Sequence, residues 1–238
     1  MILEENYFKF FRNEEKLIFI LIVLFPISLV TGPFIPDLII TISSIIFIYK
    51  IIKDYEFYNF LVINYKKEIF LFTIFFTIII LSLLNSSIIK NSFLSSFFYF
   101  RFFLFLLIIS YVFYKHPKTL MALTISIIAI LIILFFDSII QYFFEKNIFF
   151  QEIRKYYDLK YVTSFFGEEK KLGSYISRIL PICIALIFFI NNELFHKCKV
   201  KELLILFSFI MIVLSTERLA FFYFFIFIFF YFFTLKKK

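Results

Sequence analysis

Long apolar runs separated by short charged clusters organise this chain. A helix that crosses a bilayer needs ~20 mostly apolar residues, within a range of roughly 17–25. The runs approaching that length are Leu17–Thr31, Leu38–Ile52, Ile69–Leu84, Phe97–Tyr114, Thr119–Phe144, Gly173–Ile190, Leu203–Ser215 and Leu219–Leu235. The segment 203–215 is short and could continue into 219–235 as one helix bent at Ser215-Thr216-Glu217-Arg218. One helix over both would measure ~50 Å at 1.5 Å per residue, well beyond a ~30 Å hydrocarbon core, so two spans are expected. The pattern therefore predicts an all-α, polytopic transmembrane helix bundle of about eight spans in a single domain, 1–238, with one long loop at 145–172. Segment Asp54–Lys67 mixes Tyr55, Phe57, Tyr58, Phe60, Leu61 and Tyr65 with charges, as an amphipathic helix lying on the inner surface does.

Charge placement orients the bundle, because loops rich in Lys and Arg stay cytoplasmic. With the N-terminus inside, the inner segments hold Lys9, Arg12 and Lys16, then Lys50, Lys53, Lys66 and Lys67, then Lys115 and Lys118, then Lys197, Lys199 and Lys201, and finally Lys236–Lys238. Up to the 145–172 loop, only Lys90 breaks that order among the outer loops. Both termini are expected in the cytoplasm, and a seven-span path would put Lys236–Lys238 on the wrong side. Glu4, Glu5, Glu14 and Glu15 precede the first span in place of a basic leader, so that span reads as an uncleaved anchor.

Composition agrees. Of 238 residues, 63% are hydrophobic and 24% aromatic, with 43 Phe and no Trp. Charged residues make up 18%, against about 25% in soluble domains. A soluble globule could not cover so much apolar surface, and intrinsic disorder is excluded on the same ground. The net charge of +8 is spread over loops and forms no continuous basic face, so nucleic acid is not an expected partner. Cys183 and Cys198 suggest neither a disulfide framework nor a zinc site. His116 and His196 lie beside lysines in inner loops, where solvation is the expected state.

Ionisable groups inside apolar runs carry more information, since Arg or Asp at a helix centre costs ~2.5–3.5 kcal/mol. Arg101, Asp137, Arg178 and Arg218 are such groups, each near an outer helix end. Snorkelling explains any one of them cheaply. All of them together, beside the charged outer loop, point to a basic pocket for a phosphate-bearing lipid head group, which the planar guanidinium fork suits.

The run Thr163-Ser164-Phe165-Phe166-Gly167-Glu168-Glu169-Lys170-Lys171-Leu172-Gly173-Ser174-Tyr175-Ile176-Ser177-Arg178-Ile179-Leu180-Pro181 resembles a signature of bacterial O-antigen ligases and O-antigen polymerases. Leu214-Ser215-Thr216-Glu217-Arg218-Leu219-Ala220 is similar to their Thr-Gly-Glu-Arg-Thr-Ala turn, and Asp137-Ser138-Ile139-Ile140-Gln141-Tyr142 to their Asp-x-x-x-Gln-aromatic helix end. The opening Pro26–Gly32 with Ile35-Pro36-Asp37 matches in style. The resemblance implies a multi-pass protein of the bacterial inner membrane that moves a glycan, at the periplasmic face, from an undecaprenyl-diphosphate carrier to a lipid A core or a growing polysaccharide. It implies a metal-independent transfer with no cofactor. Arg218 would neutralise the leaving diphosphate, with Arg178, Arg101 and Lys171 binding it, and Glu169 or Glu217 would orient the acceptor hydroxyl. Family members run to about twelve spans with a later periplasmic loop; the chain ends after its eighth predicted span, so the resemblance also implies a form lacking the C-terminal third or more. Two other classes remain open from sequence: a transporter or flippase for a lipid-linked or anionic solute, which calls for polar groups at the bilayer midplane, and a non-catalytic remnant.

Overall fold

A computed structural model describes residues 13–83, 92–93, 96–156, 159–190 and 199–236. The chain is all-helical. Its helices are α1 (Asn13–Ser28), α2 (Phe34–Lys53), α3 (Tyr55–Asn64), α4 (Lys66–Ser82), α5 (Phe100–Lys115), α6 (Lys118–Phe144), α7 (Leu172–Ile190), α8 (Val200–Ser215) and α9 (Arg218–Lys236). Each predicted apolar run coincides with a helix to within a few residues. Among the described residues, three of them, α2, α6 and α7, are long and apolar enough to cross a membrane, and they suggest a membrane protein. The amphipathic segment forms α3, which Asp54 starts by accepting the Phe57 N–H at 3.4 Å. Phe57, Phe60 and Leu61 are buried on one face of α3, while Tyr55, Tyr58 and Ile63 are exposed. The break between α8 and α9 falls where the polar cluster predicts, because Thr216 turns left-handed at φ 54° and stops the first helix.

The chain divides into two compact units, one of residues 1–25 and 33–119, the other of residues 26–32 and 120–238. In the first, Ile39, Ile40 and Phe105 are buried together, and Phe57 and Phe60 meet the Tyr111 ring at 4.7 and 5.3 Å. At one end of this unit lies a buried ion cluster. Lys50, which charge counting treats as a solvated loop residue, is 1% exposed and donates to Glu15 at 3.0 Å. Lys115 donates to the same Glu15 oxygen at 3.0 Å, and the other oxygen meets His116 Nε2 at 3.2 Å. The expectation of a solvated His116 is thereby corrected: the ring packs against a buried carboxylate. Burial alone would raise the Glu15 carboxyl, but hydrogen bonds from Lys115 and Lys50 and the Lys50 charge overcome it and bring it down from 4.5 to about 2.

The second unit is built around α7. Leu172, Ile176, Leu180, Cys183, Ile184 and Ile187 form a stripe at helical spacing and are buried. They share a core with Leu204, Met211 and Ile212 of α8 and with Ala220 and Phe224 of α9. Phe135 of α6 stacks on Phe207 of α8 at 3.9 Å.

The 145–172 loop is more ordered than a simple connector. It carries an antiparallel hairpin of β1 (Arg154–Tyr156) and β2 (Leu159–Tyr161), with Arg154 opposite Tyr161, followed by a single 3-10 turn at Ser164–Phe166. Ile153, Val162, Thr163 and Ser164 are buried. The expectations placed on Lys9, Arg12, Lys90, His196, Lys197, Cys198, Lys237 and Lys238 lie outside the described residues.

Candidate functional site

Two sequence segments about forty residues apart meet at the start of α7. An α-helix leaves its first N–H groups without intrahelical partners, and there the helix dipole favours negative charge. At α7 a carboxylate from the α8–α9 turn fills that position. Glu217 accepts the Gly173 N–H at 2.7 Å on one oxygen, and the Ser174 N–H at 3.0 Å and hydroxyl at 2.6 Å on the other. The approach is close because residue 173 has no side chain. A Cβ there would lie 2.5 Å from Ser215 Oγ, 3.0 Å from Ala220 Cβ and 3.2 Å from Glu217 Cβ. One more main-chain bond fastens the 145–172 loop to the same junction, from Val162 N–H to the Leu214 carbonyl at 3.1 Å.

The other predicted site residues of this unit surround the junction. Glu169 and Lys171, both exposed, pair with each other just before α7 begins. Arg178 lies one helical turn beyond Ser174 on the same face and is exposed. Arg218 opens α9 beside Glu217, and both line a shallow groove of about 290 Å³ with Ile212, Val213, Thr216 and Phe221. Among the described residues, no carboxylate pairs with Arg178 or Arg218. The groove is therefore lined by one cation, Arg218, beside a carboxylate whose hydrogen bonds go to neutral donors of α7.

Arg101 belongs to the first unit and is already engaged. Its guanidinium pairs with Asp37 and donates to Thr41 Oγ1 at 3.2 Å. Asp137, expected near the basic pocket, instead organises the 145–172 loop. One of its oxygens accepts the Ile148 N–H at 2.9 Å and the other the Ser164 hydroxyl. One turn on, Gln141 Oε1 accepts the N–H groups of Thr163 and Ser164 at 3.0 and 2.7 Å. Asn147 completes the knot, donating to the Ser164 carbonyl at 2.9 Å and accepting the Gln151 N–H at 2.7 Å.

Sequence reasoning singled out Asp137, Glu217 and the arginines, and it missed Ser174, Asn147, Ser164 and Asp37. Only Ser174 had a legible signal, as a hydroxyl in the first turn of a helix. The partner of Arg101 is 64 positions away, and no local pattern marks it. Among the described residues, no cluster of three His, Cys, Asp or Glu side chains gathers to hold a metal ion. No family model, curated protein or solved structure matches the chain.

Proposed function

We propose that the chain is an eight-span inner-membrane protein with both termini in the cytoplasm, and that its α7–α9 junction binds the diphosphate of a lipid-linked glycan during transfer to a lipid A core or polysaccharide acceptor. One observation carries this reading. Of the cations assigned to the diphosphate, Arg101 and Lys171 are paired with acids, whereas Arg178 and Arg218 are exposed and, among the described residues, form no ion pair. A guanidinium stays ionised and bonds phosphate oxygens in pairs, so two such groups fit a diphosphate leaving group.

The roles follow from that geometry. Arg218 and Arg178 stabilise charge on the departing diphosphate. Glu217 holds the α7 N-terminus against the groove and so acts as a positioning residue. Glu169, exposed in the loop just before α7, is the carboxylate assigned to an acceptor hydroxyl. Undecaprenyl diphosphate places its phosphates at the membrane interface, and surrounding lipids cover the apolar helix faces.

Deletion of the gene should cause lipid-linked glycan to accumulate, and wild-type chain should reverse it. Loss of either free arginine should reduce transfer on the order of 10²-fold, as removal of one charge-stabilising donor does, while Arg101→Ala should reduce it less. Full complementation by Arg218→Ala would sink the assignment. A transporter instead requires access from both sides, so labelling of Arg178→Cys from the inner as well as the outer face would favour transport.

A further inference from the structure

The outer loop, expected in water, contains a turn that fits lipid better. Residues Asn147-Ile148-Phe149-Phe150-Gln151 fold back along α6, because the Ile148 N–H reaches Asp137 at 2.9 Å. Asp137 lies seven residues before the end of that helix, and Phe144 closes it. At 1.5 Å per residue the turn has descended about 10 Å from the helix end. The helix itself, at 27 residues, measures ~40 Å. Centring a ~30 Å hydrocarbon core on it leaves Asp137 about 6 Å beneath the boundary.

At that depth the turn shows apolar side chains with little protein cover. Ile148, Phe149 and Phe150 are 52%, 64% and 82% exposed, with one edge of the Phe149 ring resting on Phe165 at 5.0 Å. The charges stay behind on the flanks, where Lys146 pairs with Glu152 and Glu145 with Lys160. Irregular backbone in lipid must satisfy its own polar groups, since no water is present to do so. Four of the five N–H groups of this turn are bonded within the protein. The Asn147 N–H bonds the Gln151 carbonyl, the Phe150 N–H the Asn147 carbonyl, and the Ile153 N–H the Glu145 carbonyl, at 2.9, 2.9 and 2.8 Å. Ile148 and Gln151 donate to the side chains of Asp137 and Asn147. Phe150 also holds a left-handed backbone at φ 60°, a position that Gly or Asn fills with less strain. An aromatic ring kept at a strained apex and left 82% exposed is explained when lipid receives it.

We infer that the 147–151 turn is re-entrant and inserts the rings of Phe149 and Phe150 into the headgroup–acyl boundary of the outer leaflet. The occupant of this surface is the bilayer itself. The inference rests on α6 as a span and is independent of glycan transfer.

The chain has no Trp, so each Trp variant carries a single reporter. Phe150→Trp replaces an exposed ring and disturbs little packing; Ile133→Trp, at a 46% exposed position of α6, reports on the span. Both are reconstituted as the full chain in phosphatidylethanolamine–phosphatidylglycerol vesicles containing lipids brominated either near the headgroup or near the chain end. Phe150→Trp should emit at short wavelength, lose most fluorescence to the shallow bromines, lose less to the deep ones, and resist aqueous iodide. Ile133→Trp should respond more to the deep bromines. Water-like emission from Phe150→Trp, quenched by iodide and indifferent to bromine, overturns the re-entrant turn. If Ile133→Trp still responds to lipid, only the turn is lost; if neither does, the span is lost with it.

Discussion

Glu15, buried in the first unit, and Glu217, half-buried in the second, are both carboxylates held against helices, yet they are satisfied in opposite ways. Glu15 faces cations: Lys50 and Lys115, each at 3.0 Å, with His116 on its other oxygen. Glu217 faces neutral donors, the N–H groups of Gly173 and Ser174 and the Ser174 hydroxyl. In the first case the positive charge is consumed in holding the fold. In the second the acid draws on a helix terminus, and the arginines beside it keep their charge for something outside the protein. Counting charges cannot separate these cases; the partner's chemistry does.

The comparison can be broken most forcefully at Glu15. Glu15→Ala leaves the buried Lys50 with only the more distant Asp54, at 3.7 Å, and should destabilise the chain by ~3–5 kcal/mol in detergent unfolding. The pH dependence has a definite sign. The Glu15 carboxyl is lowered to about 2 from 4.5, so its stabilisation is complete above 4.5 and lost as pH falls toward 2. Glu15→Gln should flatten that acid limb of the unfolding curve; an unchanged limb would mean that the ion cluster does not hold the unit together.

Smaller effects probe the other side. Gly173→Ala forces a methyl group against Ser215 and Ala220 and should cost ~1–3 kcal/mol, as overpacking does, measured as a shift in the unfolding midpoint. Glu217→Gln keeps one acceptor but turns an amide toward N–H donors, and a loss of about 1–2 kcal/mol is expected. If Glu217→Gln cost as much as Glu15→Ala, the proposed difference between charged and neutral partners would be wrong. Glu169→Gln removes an exposed pair and should move stability by less than about 1 kcal/mol; its test is glycan transfer, not unfolding.

Helix placement was legible because bilayer-scale apolar runs and their polar interruptions are local properties. Even the α8–α9 break at Thr216 could be read that way. The junction site was legible in part: 163–181 and 214–220 were marked separately by motif, and the structure joins them through Glu217. What could not be read is long-range partner choice. Lys50 looked like a topological charge because its partner Glu15 is 35 residues away. The β1–β2 hairpin escaped notice because strands of three residues are too short to show alternation. Asn147 and Ser164 act through side-chain and main-chain bonds to residues outside their own local pattern.

The bare Cα at residue 173 has a consequence for how this sequence can diverge. Residues 173, 215 and 220 share one small volume, so drift at any of them is conditional on the other two. Among homologues these sites should covary as a triplet of small residues, with enlargement at one tolerated only alongside reduction at another. A lineage that broke this pattern would have to separate α7 from the α8–α9 turn, and with it the carboxylate that now caps the first turn of α7.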